Sequence, residues 1–471
     1  MFEEKLKEFE PIFYPKSIAV VGASPNGNKS GSHRVKGLIS VGFPGAVYPV
    51  GNDEGTIEGL DIFPNLRQVP GEIDYVIVCV PRESVLDILD DCAAKKVKAV
   101  YFFTAGFSEL RDEGRELEER MLMKARQGGF RIIGPNCMGV YCPESKIPYG
   151  FDIGVSGSAG FVSQSGGICG KLIDTGKLRN IKYSKGISFG NGIDLDASDF
   201  LQYLAADPKT SVIGAYLEGT RDGRRLFDTM REVAKSKPVV VWKGGRTEAG
   251  AQAAMSHTGS LKSSAAIWSA MLKQAGAIEV HRFEELSDIL LIFQQLGCRK
   301  DNNIAAICGV GGGGGGISVS AGDICMESGL KLPPLSSKTR IELIKLLGEV
   351  GGILCNPVDI SQWWKYGLPH LFQALELVLE DPVIDFLLIQ EDVGTLLPFL
   401  SWEELKEIND FFIEIRNKQS KPLVIVSSPG SAELKRLTIE EMLLEASIPV
   451  FPSMERAAKA IAAVNKYCSS R

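Results

Sequence analysis

The chain has 471 residues, 44% of them hydrophobic and 23% charged, which is ordinary for a globular protein. At about 150 residues per domain, this length predicts roughly three domains. The net charge of −6 argues against nucleic acid or an anionic membrane as the main partner. No apolar run approaches the roughly 20 residues that span a bilayer, so we expect a cytoplasmic protein. The ten cysteines contain no CxxC pair, and we expect free thiols and no bound metal.

The first predicted domain covers residues 1–143. Short apolar runs recur along it, in order SIAVVG (17–22), AVYPV (46–50), DYVIVCV (74–80), AVYFFT (99–104) and RIIG (131–134). The segments between them have helical patterns. Continuous apolar strands that alternate with helices predict a parallel sheet covered on both faces. We therefore expect a Rossmann-like α/β domain, with its ligand beyond the carboxyl ends of the strands.

The remainder predicts two copies of one flavodoxin-like α/β plan, in residues 144–298 and 299–471. Four landmarks of the second domain recur in the third: GFVSQSGG (160–167) with NIAAICGVGGGGGG (303–316), ISFGNGIDLD (187–196) with LCNPVDIS (354–361), DPKTSVIGAYLEG (207–219) with DPVIDFLLIQED (381–392), and KPVVVWKGG (237–245) with KPLVIVSSPG (421–430). Their constant order indicates an internal duplication, with an insertion around 395–415 in the second copy.

Two residues of the second domain are candidates for catalysis. His257 lies in RTEAGAQAAMSHTGSLKSS (246–264), a stretch of small residues that follows a strand and that we interpret as a loop. Glu218 ends a strand of the same domain, where a carboxylate is costly unless it pairs or acts. A carboxylate that accepts a hydrogen bond from one imidazole nitrogen leaves the other as a nucleophile. A solvated loop histidine and a turn-capping glutamate remain the alternatives.

Two glycine-rich segments could hold phosphate. SQSGG (163–167) lies between a strand and a helix, where free amide groups at a helix start can bind an anion. The run Gly311–Gly316 is more extreme and costs much backbone entropy. A ligand that lies against bare backbone would explain this run, and a loose loop is the alternative.

The loop after the first strand, VVGASPNGNKSGSH (20–33), lacks the GxGxxG spacing of dinucleotide-binding domains. No acidic residue directly ends the second strand, since Gly51 and Asn52 follow it. NAD is therefore disfavoured. Lys29 and Arg34 could still balance the charge of a phosphate-bearing cofactor.

Taken together, these segments resemble the α subunit of ADP-forming acetyl-CoA synthetases, a branch of the succinyl-CoA synthetase superfamily. The matching stretches include SIAVVGAS, GPNCMG (134–139), FVSQSGG, YLEGTRDGRR and KPVVVWKGGRTEAGAQAAMSHTGSL. The resemblance covers nearly the whole chain, and residues 237–261 are its most specific part. It implies a CoA-binding first domain and two succinyl-CoA synthetase-like domains.

The resemblance also implies a role for individual residues. His257 corresponds to the phosphorylated histidine, and Glu218 to the glutamate that orients it. Ser165, Gly166 and Gly167 correspond to the phosphate-binding helix start. The residues that fall on CoA-binding segments are Gly22, Ala23, Ser24, Lys29, Pro49, Val80, Pro81, Thr104 and Asn136. No metal site is implied on this chain.

The implied reaction converts acyl-CoA, ADP and phosphate into a carboxylic acid, CoA and ATP, through an acyl phosphate and phosphorylated His257. Phosphoryl transfer to a nucleotide needs Mg²⁺ and phosphate clamps, and the chain has no recognisable module that supplies them. The resemblance implies an ATP-grasp β subunit that binds ADP or ATP and Mg²⁺, in an α₂β₂-type assembly. Two alternatives remain: a non-catalytic CoA- or acyl-CoA-binding regulatory protein, and an NAD(P)-dependent dehydrogenase.

Overall fold

A computed structural model of the protein describes residues 2–110, 112–258, 264–299, 303–311, 314–348, 353–418 and 421–470, with side chains for all of these except 2–3 and 255–258. The chain forms two compact units. The first contains residues 1–177 and 181–286, and the second contains residues 178–180 and 287–471. Among the described residues, no helix combines the length and the apolar character needed to cross a membrane.

The first unit begins with a five-stranded parallel sheet in the order β2-β1-β5-β6-β7. Its strands are β1 Ser17–Val21, β2 Ala46–Val50, β5 Tyr75–Val78, β6 Ala99–Phe102 and β7 Arg131–Ile133, and a separate small hairpin contains β3 Thr56–Ile57 and β4 Leu60–Asp61. The helices of this region are α1 Phe2–Phe13, α2 Ser30–Ser40, α3 Val85–Ala94 and α4 Asp112–Gly128. Strands β1, β5 and β6 are buried throughout. Their continuous apolar sequence follows from helices covering both faces.

A second sheet in this unit has the order β13-β12-β11-β9-β10-β8, and β8 is its antiparallel edge strand. Its elements are β8 Gly139–Tyr141, β9 Ala159–Ser163, β10 Tyr183–Ser188, β11 Val212–Leu217, β12 Val239–Lys243, β13 Ile278–Val280, α5 Gly166–Leu178, α6 Ala197–Ala206, α7 Gly223–Ala234, α8 Glu248–Thr258 and α9 Ala265–Ala275. Helix α10 Phe283–Leu296 follows, and its residues from Ser287 onward belong to the second unit. The domain boundaries after residues 143 and 298 stay predictions; the strand pairing assigns β8 to this second sheet.

The second unit contains a parallel sheet in the order β15-β14-β16-β17-β18. Its elements are β14 Ile304–Cys308, β15 Val358–Asp359, β16 Phe386–Glu391, β17 Leu423–Ser427, β18 Val450–Phe451, α11 Gly314–Glu327, α12 Ser337–Leu347, α13 Leu368–Leu379, α14 Val393–Leu396, α15 Trp402–Asn417, α16 Glu433–Glu445 and α17 Met454–Ser469. The α/β fold class predicted from the sequence is confirmed by this alternation of strands and helices.

The last two sheets, which contain the repeated landmarks, share a local interaction. The Lys237 ammonium donates to the carbonyl oxygen of Asp207, and the Lys421 ammonium donates to that of Asp381 at 2.6 Å. Each pair joins the start of one strand to the Asp-Pro turn before its neighbour. Between β16 and β17 the second copy adds the short helix α14, and its α15 is a 16-residue helix where α7 has 12 residues.

The glycine run is partly explained by packing. A Cβ on Gly311 would lie 2.6 Å from the backbone nitrogen of Asp392, and one on Gly314 would lie 1.8 Å from Asp359 Oδ1. These two positions therefore require glycine. Gly315 and Gly316 have open space around them in the first turn of α11, and residues 312 and 313 lie outside the described residues.

The expectation that all cysteines are free thiols is wrong for one pair. Cys298 and Cys468 form a disulfide with their Cα atoms 5.7 Å apart, and the other eight cysteines are free. The two partners are separated by 170 residues in the sequence. Such a pair leaves no spacing signal, because the fold alone brings the two ends of the second unit together.

Candidate active site

A cavity of about 750 Å³ opens at the carboxyl ends of the first sheet and reaches the start of α5. That volume lies within the usual range of ligand sites. It brings together four predicted CoA-binding residues, Val80, Pro81, Thr104 and Asn136, and all three predicted phosphate-binding residues, Ser165, Gly166 and Gly167. Its other lining residues are Ser30, Cys79, Phe103, Ala105, Cys137, Met138, Tyr149 and Gly170.

The strand-end loops on the first-sheet side are tied to one another. Thr104 donates from Oγ1 to the carbonyl of Val80 at 2.6 Å, and the backbone amide of Asn136 donates to the Thr104 carbonyl at 2.8 Å. Asn136 adopts a left-handed backbone conformation with φ of 56°, and its side chain donates to Glu109 at 2.6 Å. These bonds fix three neighbouring loops, so this wall of the cavity is largely formed before a ligand arrives.

The phosphate-binding candidates lie at the start of α5. Ser163 Oγ donates to the Ser165 carbonyl at 2.7 Å and accepts from the Ser165 amide at 3.2 Å, which closes a tight turn before the helix. Amides of a first helical turn have no partner within the helix, and the helix dipole favours an anion there. A Cβ on Gly166 would lie 2.5 Å from Met138 Cγ, so the close contact with this wall requires glycine.

The remaining predicted CoA-binding residues lie at the same edge of the first sheet. They are not among the described residues that line the cavity. Gly22 has φ of 99°, and a Cβ there would lie 2.5 Å from the Cys79 carbonyl oxygen. Ala23 follows it and donates from its amide to the Val50 carbonyl at 3.0 Å. Pro49 lies within β2, paired with Val20.

Asp53 is a residue of this edge that the sequence analysis missed. Ser24 donates from Oγ to Asp53 at 2.8 Å, and Lys29 donates to the same oxygen at 3.0 Å. The hydrogen bond from Ser24, then that from Lys29, lowers the pKa of the Asp53 carboxyl. The sequence signal is an acid three residues beyond the end of β2, just after Gly51 and Asn52.

Arg34, the other predicted phosphate cation, lies behind the cavity wall. Its guanidinium donates to the Tyr149 carbonyl at 3.2 Å and stands 5.5 Å from the centre of the Phe103 ring. Tyr149 in turn donates from its hydroxyl to the Gly166 carbonyl. Arg34 thus supports cavity-lining residues and does not itself line the cavity.

Glu218 follows β11 and is buried, with 7% of its surface exposed. Gln164 accepts through Oε1 from the amides of Glu218 and Gly219, the second at 2.9 Å, which joins the Glu218 turn to the residue before Ser165. The Tyr216 hydroxyl donates to Glu218 Oε1 at 3.2 Å. Burial, followed by the Glu218 charge, raises the pKa of Tyr216, so this phenol stays a proton donor. Gln164 was missed because its strand-loop-helix context gave no separate signal.

His257 lies in the last turn of α8, and its side chain is outside the described residues. The sequence analysis expected a loop throughout 246–264, and this is wrong for residues 248–258, which are helical. The physical reason is that half of the residues in EAGAQAAM are alanine, and its glutamate, glutamine and methionine also favour helix. Helix α8 packs against the turn Ser108–Leu110 beside the first sheet.

Two family models match the chain. The model of the CoA binding domain matches residues 16–143, and that of the succinyl-CoA ligase-like flavodoxin domain matches residues 156–293. The α subunit of an ADP-forming acetate–CoA ligase from Pyrococcus furiosus is 34% identical over 97% of both chains. The chain belongs to the family of ADP-forming acetate–CoA ligase α subunits.

Two further relatives support the assignment. An ADP-forming acetate–CoA ligase from Archaeoglobus fulgidus is 36% identical over 80% of this chain and 54% of its own length. A solved structure of an acetyl-coenzyme A synthetase from Candidatus Korarchaeum cryptofilum, in complex with phosphate and ADP, superposes with a TM-score of 0.85. That structure is 30% identical and covers 98% of this chain and 97% of its own.

Proposed function

We propose that this chain is the CoA-binding, phosphohistidine-carrying subunit of an NDP-forming acyl-CoA synthetase, and that His257 carries the phosphoryl group. The supporting observation is the single cavity that joins the strand-end loops of the first sheet to the start of α5. Gln164 connects that helix start to Glu218, the carboxylate expected to orient the histidine. CoA, phosphate and the carrier would therefore meet in one unit of the chain.

The reaction proceeds in three steps. Phosphate attacks the thioester carbonyl, and the carbon–sulfur bond breaks to release CoA and an acyl phosphate. An imidazole nitrogen of His257 then attacks phosphorus, and the carboxylate leaves. The phosphohistidine finally transfers its phosphoryl group to ADP, which regenerates neutral histidine and forms ATP.

Residues of this chain would serve the first two steps. Amides at the start of α5, at Gly166 and Gly167, would hold the phosphate oxygens through the helix dipole. Glu218 would accept a hydrogen bond from the protonated nitrogen of the imidazole, and so fix the tautomer and stabilise the cationic ring that forms. Val80, Pro81, Thr104 and Asn136 would contact CoA, with Gly22, Ala23, Ser24, Lys29 and Pro49 at the same sheet edge.

The third step would use an ATP-grasp β subunit that binds ADP or ATP and Mg²⁺, in an α₂β₂-type assembly. The relatives named as α subunits support a separate partner, and the Archaeoglobus ligase is much longer than this chain. Among the described residues, no group of three histidine, cysteine, aspartate or glutamate side chains could hold a metal ion. The substrate class is a small carboxylic acid; the relatives include ligases named for acetate and for 4-hydroxybutyrate.

Phosphate-dependent release of CoA tests this function. The chain, with its co-purified partner, is incubated with acetyl-CoA and a panel of other acyl-CoAs, with and without phosphate, and free CoA is separated by chromatography. We expect release only with phosphate. Gly166→Val should abolish it, because the side chain would meet Met138, whereas Gly430→Ala should not, because Gly430 has open space around it.

CoA binding without phosphate-dependent release, for every acyl-CoA and with the partner present, would contradict the enzymatic proposal. It would favour the non-catalytic CoA-binding regulatory protein. Binding of NAD without binding of CoA would contradict both.

A further inference from the structure

Lys243 is a buried lysine at the edge of the sheet that carries Glu218. It is the last residue of β12, and 3% of its surface is exposed. Its ammonium donates to the Glu218 carbonyl oxygen at 2.8 Å and to the Gly244 carbonyl oxygen. A buried charge is costly unless it is paired and hydrogen-bonded, so this position calls for an explanation.

The surroundings of Lys243 include the Glu218 anion and the aromatic face of Trp268. Burial lowers the pKa of Lys243, and the charge of Glu218 opposes that lowering. The centre of the Trp268 ring, on α9, lies 5.1 Å from the ammonium nitrogen. The lysine charge is thus held between the Glu218 turn and a ring that is itself buried.

The duplicated sheet offers an internal comparison. The amide of Ile213 donates to the Pro238 carbonyl, and the amide of Leu387 donates to the Pro422 carbonyl, which aligns the two strand pairs residue by residue. In this alignment Glu218 corresponds to Asp392 and Lys243 corresponds to Ser427.

Of the two lysines at the ends of β12, Lys237 and Lys243, only Lys237 has a lysine counterpart in the second copy. Lys237, at the start of β12, has its counterpart in Lys421, and both bond the carbonyl of the Asp-Pro turn. Asp392 instead caps α14, with its side chain accepting from the Thr395 amide. The pairing of an acid with a buried lysine belongs to the copy that also carries His257.

We propose that Lys243 is a positioning residue for phosphoryl transfer, acting through Glu218. It ties the carbonyl of Glu218, directly after β11, to the Gly244–Gly245 turn, from which the chain continues into the histidine-bearing helix α8. Its positive charge also interacts electrostatically with the charge of Glu218. The inference rests on the proposed function, because it assigns Lys243 to the site where His257 would act.

The test compares Lys243→Met with Lys237→Met in the complex of the chain with its partner. Both substitutions remove a lysine that bridges two carbonyls, at opposite ends of the same strand. We expect Lys243→Met to lower kcat by about 10²-fold, the effect of a misplaced catalytic group, and to leave KM for CoA unchanged. Lys237→Met should keep kcat even if its Tm falls equally. Lys243→Arg, which keeps the charge, should recover activity and covers the case in which the methionine variant fails to fold.

A double-mutant cycle with Glu218→Gln separates positioning from general stability. If Lys243 acts through Glu218, Lys243→Met should slow the Glu218→Gln variant far less than it slows the wild type. Equal kcat values for Lys243→Met and Lys237→Met, or fully additive losses in the double-mutant cycle, would overturn the positioning role of Lys243. Either result would leave the proposed function of the chain standing. A wild-type complex that forms no phosphohistidine would overturn the proposed function, and this inference with it.

Discussion

Glu391 should make the stability of the second unit depend on pH. It ends β16, is fully buried, and bonds Asn409, whose side-chain nitrogen donates to Oε1 at 2.8 Å. The first copy has Leu217 at the corresponding place. Burial raises the pKa of the Glu391 carboxyl from 4.5 to about 7, and the charge of Asp392 adds to this effect. The folded chain therefore holds this proton at a pH where the unfolded chain has lost it.

The direction and size of the change in unfolding free energy follow from the difference between the folded and unfolded pKa of Glu391. Between pH 4.5 and about pH 7 the folded state binds more protons, so its stability falls as pH rises. A difference of about 2.5 pKa units corresponds to about 3 kcal/mol. Glu391→Gln stays neutral at every pH, so the variant should match the wild type below pH 4.5 and exceed its stability by about 3 kcal/mol above pH 7.

The assay is urea unfolding at acid and alkaline pH, followed by hydrogen exchange of peptides from β16 and β17, which report on the second unit alone. Glu407→Gln, on the exposed face of α15, is the matched control and should leave the pH dependence unchanged. A Glu391→Gln variant whose stability keeps the wild-type pH dependence would refute the reasoning.

Two further predictions concern the disulfide and Glu218. Reduction of Cys298–Cys468, or Cys298→Ser, should lower the unfolding free energy of the second unit by about 5 kcal/mol, because the bond closes a very long loop. Calorimetry should show the first unit unchanged, and Cys355→Ser, a free thiol in the same unit, should have no such effect. Glu218→Gln should slow turnover of the complex by about 10²–10⁴-fold without loss of CoA binding; undiminished turnover would make Glu218 a structural residue.

The sequence predicted the sheets well because buried parallel strands have a simple signal. The apolar runs around Ile18, Val76 and Val100 are continuous, and they became the fully buried strands β1, β5 and β6. The repeated landmarks likewise predicted the two similar sheets, because the same lysine-to-carbonyl bond recurs at Lys237 and Lys421.

What the sequence did not predict depended on distances between remote segments. The Cys298–Cys468 bond exists because the fold brings the two ends of the second unit together. Asp53 follows β2 closely in the sequence, but its bond to Ser24 depends on β1 and β2 lying side by side. The helix before His257 was missed for a different reason: small residues were interpreted as a loop signal, although alanine is the strongest helix former.

The most direct test of the account is the phosphorylation of His257 itself. The chain, alone and with its partner, is treated with acyl-CoA and phosphate without nucleotide, and its intact mass is measured at alkaline pH, where a phosphoramidate survives. We predict one added phosphoryl group within the peptide around His257, lost in His257→Ala and retained in His281→Ala. A label on another residue, or no label with the partner and several acyl-CoAs present, would contradict the phosphohistidine mechanism.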